Sequence, residues 1–306
     1  MSLKTNSIQE THSENLALSN GTEKINIGAY RGWIQIEKTI SFEFVRNGKK
    51  LLAMIITSAG IFLLSLIIQL IQKNQGMDLP FEALDYFQNY LGMINFLILI
   101  IGTTFFGSII AEDFEKETGN LIFPKIPKER LLLGRFIARY LYAFLSVAFY
   151  YLLVAIVTYV EYDGIPKIVW ESMLWAEWYL FGIAAFFTMF SSIFKRSSTA
   201  MITGILSILI IFNLLSMIFM FSGVTVEPFY FLTYYANIIT QWFHMPAADS
   251  RFQEIPFMRG PGAAASEGST YYQWITPSAT GAIIGLGIYS IICLTIAYIL
   301  FKRRQN

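Results

Sequence analysis

Apolar residues in this chain come in long unbroken runs, and polar residues come in short dense blocks between them. Six runs stand out, at about 51–71, 86–111, 136–160, 176–194, 199–222 and 279–301. Each holds close to the ~20 residues that a helix needs to cross ~30 Å of hydrocarbon. The runs are continuous and do not alternate, which predicts helices rather than the strands of a barrel. The pattern therefore predicts an all-α membrane protein with six transmembrane helices.

The polar stretches divide into five kinds. Residues 1–29 are polar and lack an apolar stretch near the start, which predicts a disordered tail and no cleavable signal peptide. From Tyr30 to Asn47, Trp33, Ile36, Ile40 and Phe44 share one helical face, as in a helix lying in the membrane interface. The same segment also alternates like a strand, and its place beside a span and a basic cluster favours the helix. Between the last two runs, Pro228 to Met245 is rich in aromatic residues, which predicts interfacial or re-entrant helices before the last span. Residues 246–278 hold Gly260, Pro261, Gly262 and Gly268 and read as flexible loop. The densest block runs from Glu112 to Arg130, with four acidic residues directly after the second run and two prolines further on.

Charge adds direction. The chain has 306 residues, of which only 14% are charged, and its net charge is +1. That balance offers nothing to a nucleic acid. Its distribution is uneven, because with both termini on one side, 18 of the 22 lysines and arginines share that side. The positive-inside rule then predicts cytoplasmic termini and a cytoplasmic Glu112–Arg130 block.

Candidate chemistry is sparse. One cysteine (Cys293) and two distant histidines (His12, His244) offer no thiolate or imidazole metal cluster and no catalytic set. No phosphate-binding glycine loop of the G-x-x-x-x-G-K-[ST] type occurs. The middle of every run is free of ionisable residues, and Arg139 and Glu177 are expected near span ends, reaching the interface. This argues against a lone membrane enzyme or a proton-driven carrier, which place ionisable groups at depth. Neutral polar residues do occur within spans: Asn95, Thr103, Thr104 and Ser108 in the second, and Ser207, Asn213 and Ser216 in the fifth. They are candidates for a substrate path, and equally for ordinary contacts between helices. Gly281 and Gly285 mark a possible close helix contact in the sixth span.

The block carries a resemblance. Glu115, Glu117, Gly119 and Leu121, then Pro127, Arg130 and Gly134, resemble the cytoplasmic signature of ABC-2 type permeases, the transmembrane subunits of ATP-binding-cassette exporters. Asn120 stands for the usual Thr, Lys128-Glu129 for a Ser/Thr position, and Arg135 for Lys. The layout from Tyr30 to Arg304 is similar as well. The resemblance implies that the block is a coupling helix docking on a separate ATPase subunit through Glu112, Glu115, Glu117, Gly119, Pro127 and Arg130. It implies no cofactor in this chain, with ATP and Mg in the partner subunit. It further implies a second permease copy, a cavity lined by the second and fifth spans, and residence in a prokaryotic cytoplasmic membrane. The expected function is export of an unidentified substrate, and the alternative is a membrane anchor that recruits an ATPase without transporting.

Overall fold

The computed structural model describes the chain except residues 1–2, 77–79, 81, 118–125, 222–225, 257–269 and 305–306. Side chains of residues 3–31, 220–221, 249, 254–256 and 270–272 also lie outside the description. The fold is mostly helical, and six helices are long and apolar enough to cross a membrane, as a multi-pass membrane protein requires.

α1 (Leu3–Asn74) is a single continuous helix. The expected interfacial segment 30–47 is therefore not a separate element but the lower part of the first spanning helix. Its buried positions are Thr39, Glu43 and Asn47, spaced by four, while Trp33 is 71% exposed. A polar stripe is the most deeply buried part of this segment, and Phe44 of the apolar face packs edge-on against Tyr142.

The second span is assembled from pieces. α2 (Ala83–Tyr90) passes through one tight turn, Leu91–Met93, into α3 (Ile94–Phe106). The chain then turns at Gly107–Ile110 before the short α4 (Ala111–Glu115). That break frees the amides of Ile110 and Ala111, and Ser191 Oγ accepts both at 2.9 and 3.0 Å. In an apolar layer such satisfaction is obligatory.

α5 (Lys128–Tyr162) ends at Asp163, whose left-handed φ of 57° closes the helix before Gly164 and Pro166. α6 (Ile168–Ile193) follows. The fifth span is α7 (Ser197–Leu206), a wide π-helical stretch at Ser207–Phe212, then α8 (Asn213–Phe221). α9 (Leu232–Gln241) occupies part of the aromatic stretch and buries Leu232, Ile238 and Ile239. Gln88 and Ser172 hold it by donating to the carbonyls of Thr240 and Ile239 at 3.0 and 2.9 Å.

The stretch expected as loop contains an antiparallel pair, β1 (Phe252–Pro256) and β2 (Thr270–Trp274), in register from Phe252↔Trp274 to Pro256↔Thr270. The fold is thus not purely helical. Phe252, Tyr271, Tyr272 and Trp274 favour strands, and the glycine-rich composition between them masked that preference. α10 (Ala279–Arg303) closes the chain, its first turn capped by Ser278 Oγ accepting from the Gly281 amide at 3.1 Å.

α3, α5 and α6 form the centre, with Phe105, Phe106, Tyr150, Tyr151, Ile183 and Phe187 buried between them. The spanning windows of α2–α3 and α6 are 61% buried, against 22%, 17% and 22% for α1, the α7–α8 span and α10. The last three form an outer layer whose apolar faces suit lipid or another chain.

Candidate functional site

The described ends of the Glu112–Arg130 block, 112–117 and 126–130, sit at one end of the bundle, and the side chains beneath them form the densest set of buried charges among the described residues. α1 contributes Glu43, Arg46 and Asn47. α4 contributes Glu112 and Asp113. Arg135 and Arg139, four apart on one face of α5, contribute two guanidinium groups.

Glu43 is at the centre and fully buried. Arg139 Nε donates to its Oε2 at 3.0 Å, and Arg135 Nε lies 3.3 Å from its Oε1. Asn47 Nδ2 donates to the same carboxylate at 2.8 Å, and Arg46 is 3.3 Å away. Arg135 also grips both oxygens of Asp113, one of them at 3.0 Å. Such a forked pair combines strength with fixed orientation. Glu112 pairs with Arg46 and lies 3.6 Å from Arg139. Three carboxylates thus face three guanidiniums, which is the condition for keeping charge out of water.

The arginines do a second job. Where α3 ends, the carbonyls of Phe105 and Ile109 receive Arg139 Nη1 at 2.8 Å and Arg135 Nη1 at 3.2 Å. A helix C-terminus exposes free carbonyls and partial negative charge, so cations there are favoured twice over. Gly134, directly before Arg135, permits the approach of α5 to α1, since a Cβ there would come 2.9 Å from Thr39 Cβ.

The two ends of the block are fastened differently. Burial raises the Glu112 carboxyl, but the hydrogen bond from Lys116 and the charges of Arg46 and Arg139 outweigh it and hold it at about 2. Glu115 is exposed and accepts from the Ser197 amide at 2.9 Å, so it caps the start of α7. Hydrogen bonding from Ser197 holds its carboxyl below the ordinary range. Glu117 is exposed with a left-handed φ of 55°. At the other end, Pro127 precedes α5, and Arg130 Nη1 donates to Gln35 Oε1 of α1 at 2.7 Å. The end of α10 joins the same structure. Lys128 Nζ donates to the carbonyls of Phe301 and Arg304, and the Arg304 guanidinium lies 4.0 Å from the Phe114 ring centre.

Of the expected docking residues, then, Glu112 is committed inside the protein, Glu115 and Glu117 face outward, and Arg130 is half-buried on α1. Gly119, like Leu121, lies outside the described residues. Of the expected path residues, Thr103, Ser207 and Asn213 donate to carbonyls four residues back in their own helices. Thr104 is half-buried and Ser108 buried in the turn after α3. Asn95 Oδ1 is buried without a partner. Only Asn213 and Ser216 of this set line the larger cavity, at the far end. Gly281 and Gly285 face Phe229 and Tyr235 rather than a neighbouring span.

Two expectations need correction. Arg139 does not reach the interface, because Glu43 and the Phe105 carbonyl hold it fully buried. Glu177 is 5% exposed within α6, and neither carboxyl oxygen has a hydrogen-bond partner. The signal for the ionic set was present in the four-residue repeat Gln35-Thr39-Glu43-Asn47 and its counterpart Arg135–Arg139. Among the described residues, no group of three or more His, Cys, Asp or Glu side chains is placed to hold a metal ion.

No family model matches this chain, and no curated protein matches it.

Proposed function

We propose that this protein is the membrane subunit of an exporter powered by a separate ATPase, which docks on the Glu112–Arg130 block at the cytoplasmic face. The observation that carries this reading is the fastening of the block. Its first residues are ion-paired to α1 and α5, its last is bonded to α1, and Glu115 caps α7. A push at either described end of the block would therefore reach the first, second, third and fifth spans through these contacts. Exposed acids, Glu117 above all, remain available to a soluble partner. The resemblance to ABC-2 permeases supplies the class of partner.

The test is co-purification of the chain expressed with the products of its neighbouring genes. A Walker-motif ATPase should travel with it, and none doing so would sink the proposal. Glu117→Lys should weaken that association while the membrane protein remains folded. Glu112→Lys should instead damage the fold, because its partners are buried arginines. An ATPase that binds but supports no transport in reconstituted vesicles would favour the anchor reading.

A further inference from the structure

A cavity of about 340 Å³ opens at the far end of the bundle, between α8, α9 and the end of β2. Its volume falls within the range of small-molecule sites. The floor is the outer part of the fifth span, just beyond the π-helical stretch Ser207–Phe212, a distortion frequent at functional sites.

The lining is chemically specific. Asn213, Ser216, Thr233, Asn237 and Gln273 contribute amides and hydroxyls. Phe219, Tyr230, Phe231 and Trp274 contribute rings. Among the described residues, no Asp, Glu, Lys, Arg or His lines it. The charges nearest by are spent on each other and on the frame. Glu227 Oε1 accepts from Arg251 Nη1 at 3.1 Å and from the Tyr234 hydroxyl at 2.9 Å. Arg251 also lies over the Trp274 ring, 5.7 Å from its centre. Asn237 Nδ2 donates to the Ile275 carbonyl at 2.8 Å and ties α9 to the strand end. The walls are thus held in place without a ligand.

We propose that this cavity binds an uncharged amphiphile carrying a planar aromatic group. A charged ligand would lose its hydration and find no opposite charge among the described residues, while a pure hydrocarbon would use only the aromatic part of the lining. A ring can stack on the aromatic wall while polar substituents meet the amides. The site stands apart from the exporter proposal, because occupancy requires no ATPase.

The probe is a benzophenone bearing a short neutral ethylene-glycol tail, with trimethylammonium and sulfonate analogues of the same size. Each is irradiated with the full chain in phosphatidylcholine nanodiscs, and cross-links are mapped by peptide mass spectrometry. The neutral probe should label Asn213–Phe219 and Val226–Asn237, saturably, and about ten-fold more than either charged analogue. Ser216→Phe and Thr233→Phe fill the cavity from two sides, and each should cut labelling at least about five-fold without lowering the melting temperature. Equal labelling by the charged analogues overturns the proposal, as does labelling spread over the lipid-facing sides of α1 and α10. If either variant fails to fold, an excess of unlabelled probe on the unmodified protein decides. Competition supports the site, and labelling that persists undiminished overturns it.

Discussion

The two ends of this helical bundle solve the same problem by opposite means. Under the block, the chain breaks a span and meets the freed carbonyls with buried arginines, which then need buried carboxylates. At the far end, the breaks are covered by neutral groups: Ser172 on Ile239, Gln88 on Thr240, Tyr235 on Phe229 at 2.7 Å. Ionic anchoring resists force and holds a fixed geometry, but it tolerates no missing partner. Neutral anchoring leaves room for a cavity whose walls remain free of charge. The contrast teaches that one end is fixed by paired charges and the other by neutral groups that leave a cavity open.

The largest effect should come from removing one charge of the buried set. Arg139→Met leaves Glu43 short of its closest cationic partner and should cost about 3–5 kcal/mol in unfolding free energy. The double variant Glu43→Gln, Arg139→Met should cost less than the sum of the single changes. Chemical denaturation in detergent measures both, and a single variant within about 1 kcal/mol of the parent would break the contrast between the ends. Next, Gly134→Leu should destabilise by about 1–3 kcal/mol, since Thr39 stands where the side chain must go.

Acid sharpens the comparison. The Glu112 carboxyl is held down to about 2 from an ordinary 4.5. Its contribution is therefore complete above about pH 4.5 and is lost as pH falls towards 2. Between those values the parent protein should lose stability more steeply than Glu112→Gln, as melting temperatures across that window will show. Parallel pH curves would mean that the Arg46 and Lys116 contacts carry no net energy. The smallest effect belongs to the far end. Glu227 and Arg251 are each 15% exposed as side chains, and Arg251→Ala should cost only about 1 kcal/mol or less. A loss as large as that of Arg139→Met would erase the distinction.

The spans were legible because a spanning helix is a local property of composition. The expected runs are largely helical, but the second stops at Phe106 and turns at Gly107–Ile110 inside the expected 86–111, and the third extends over Lys128–Tyr162 against an expected 136–160. The strand pair was hidden because its two halves pair across a long separation in the chain. The pairing within the ionic set was hidden for the same reason, although each helix carries its four-residue spacing in the sequence. Asp113 and Arg135 are 22 positions apart, and Glu43 and Arg139 are 96 apart. Read one at a time, Arg139 looks like a residue that should reach water. Only the delivery of Glu43 by another helix makes its burial affordable.

By itself the sequence determined that six apolar helices run through this protein, that its basic residues crowd to one side, and that a charged block separates the second and third spans. Those facts follow from sums over neighbouring residues, since transfer free energy accumulates along a run. The tertiary structure alone decided which charges lie buried, which acids of the block remain outside, and that a neutral cavity opens at the far end. Each of those depends on a partner from a distant part of the chain, and the energy of a charge or an amide is set by what it faces.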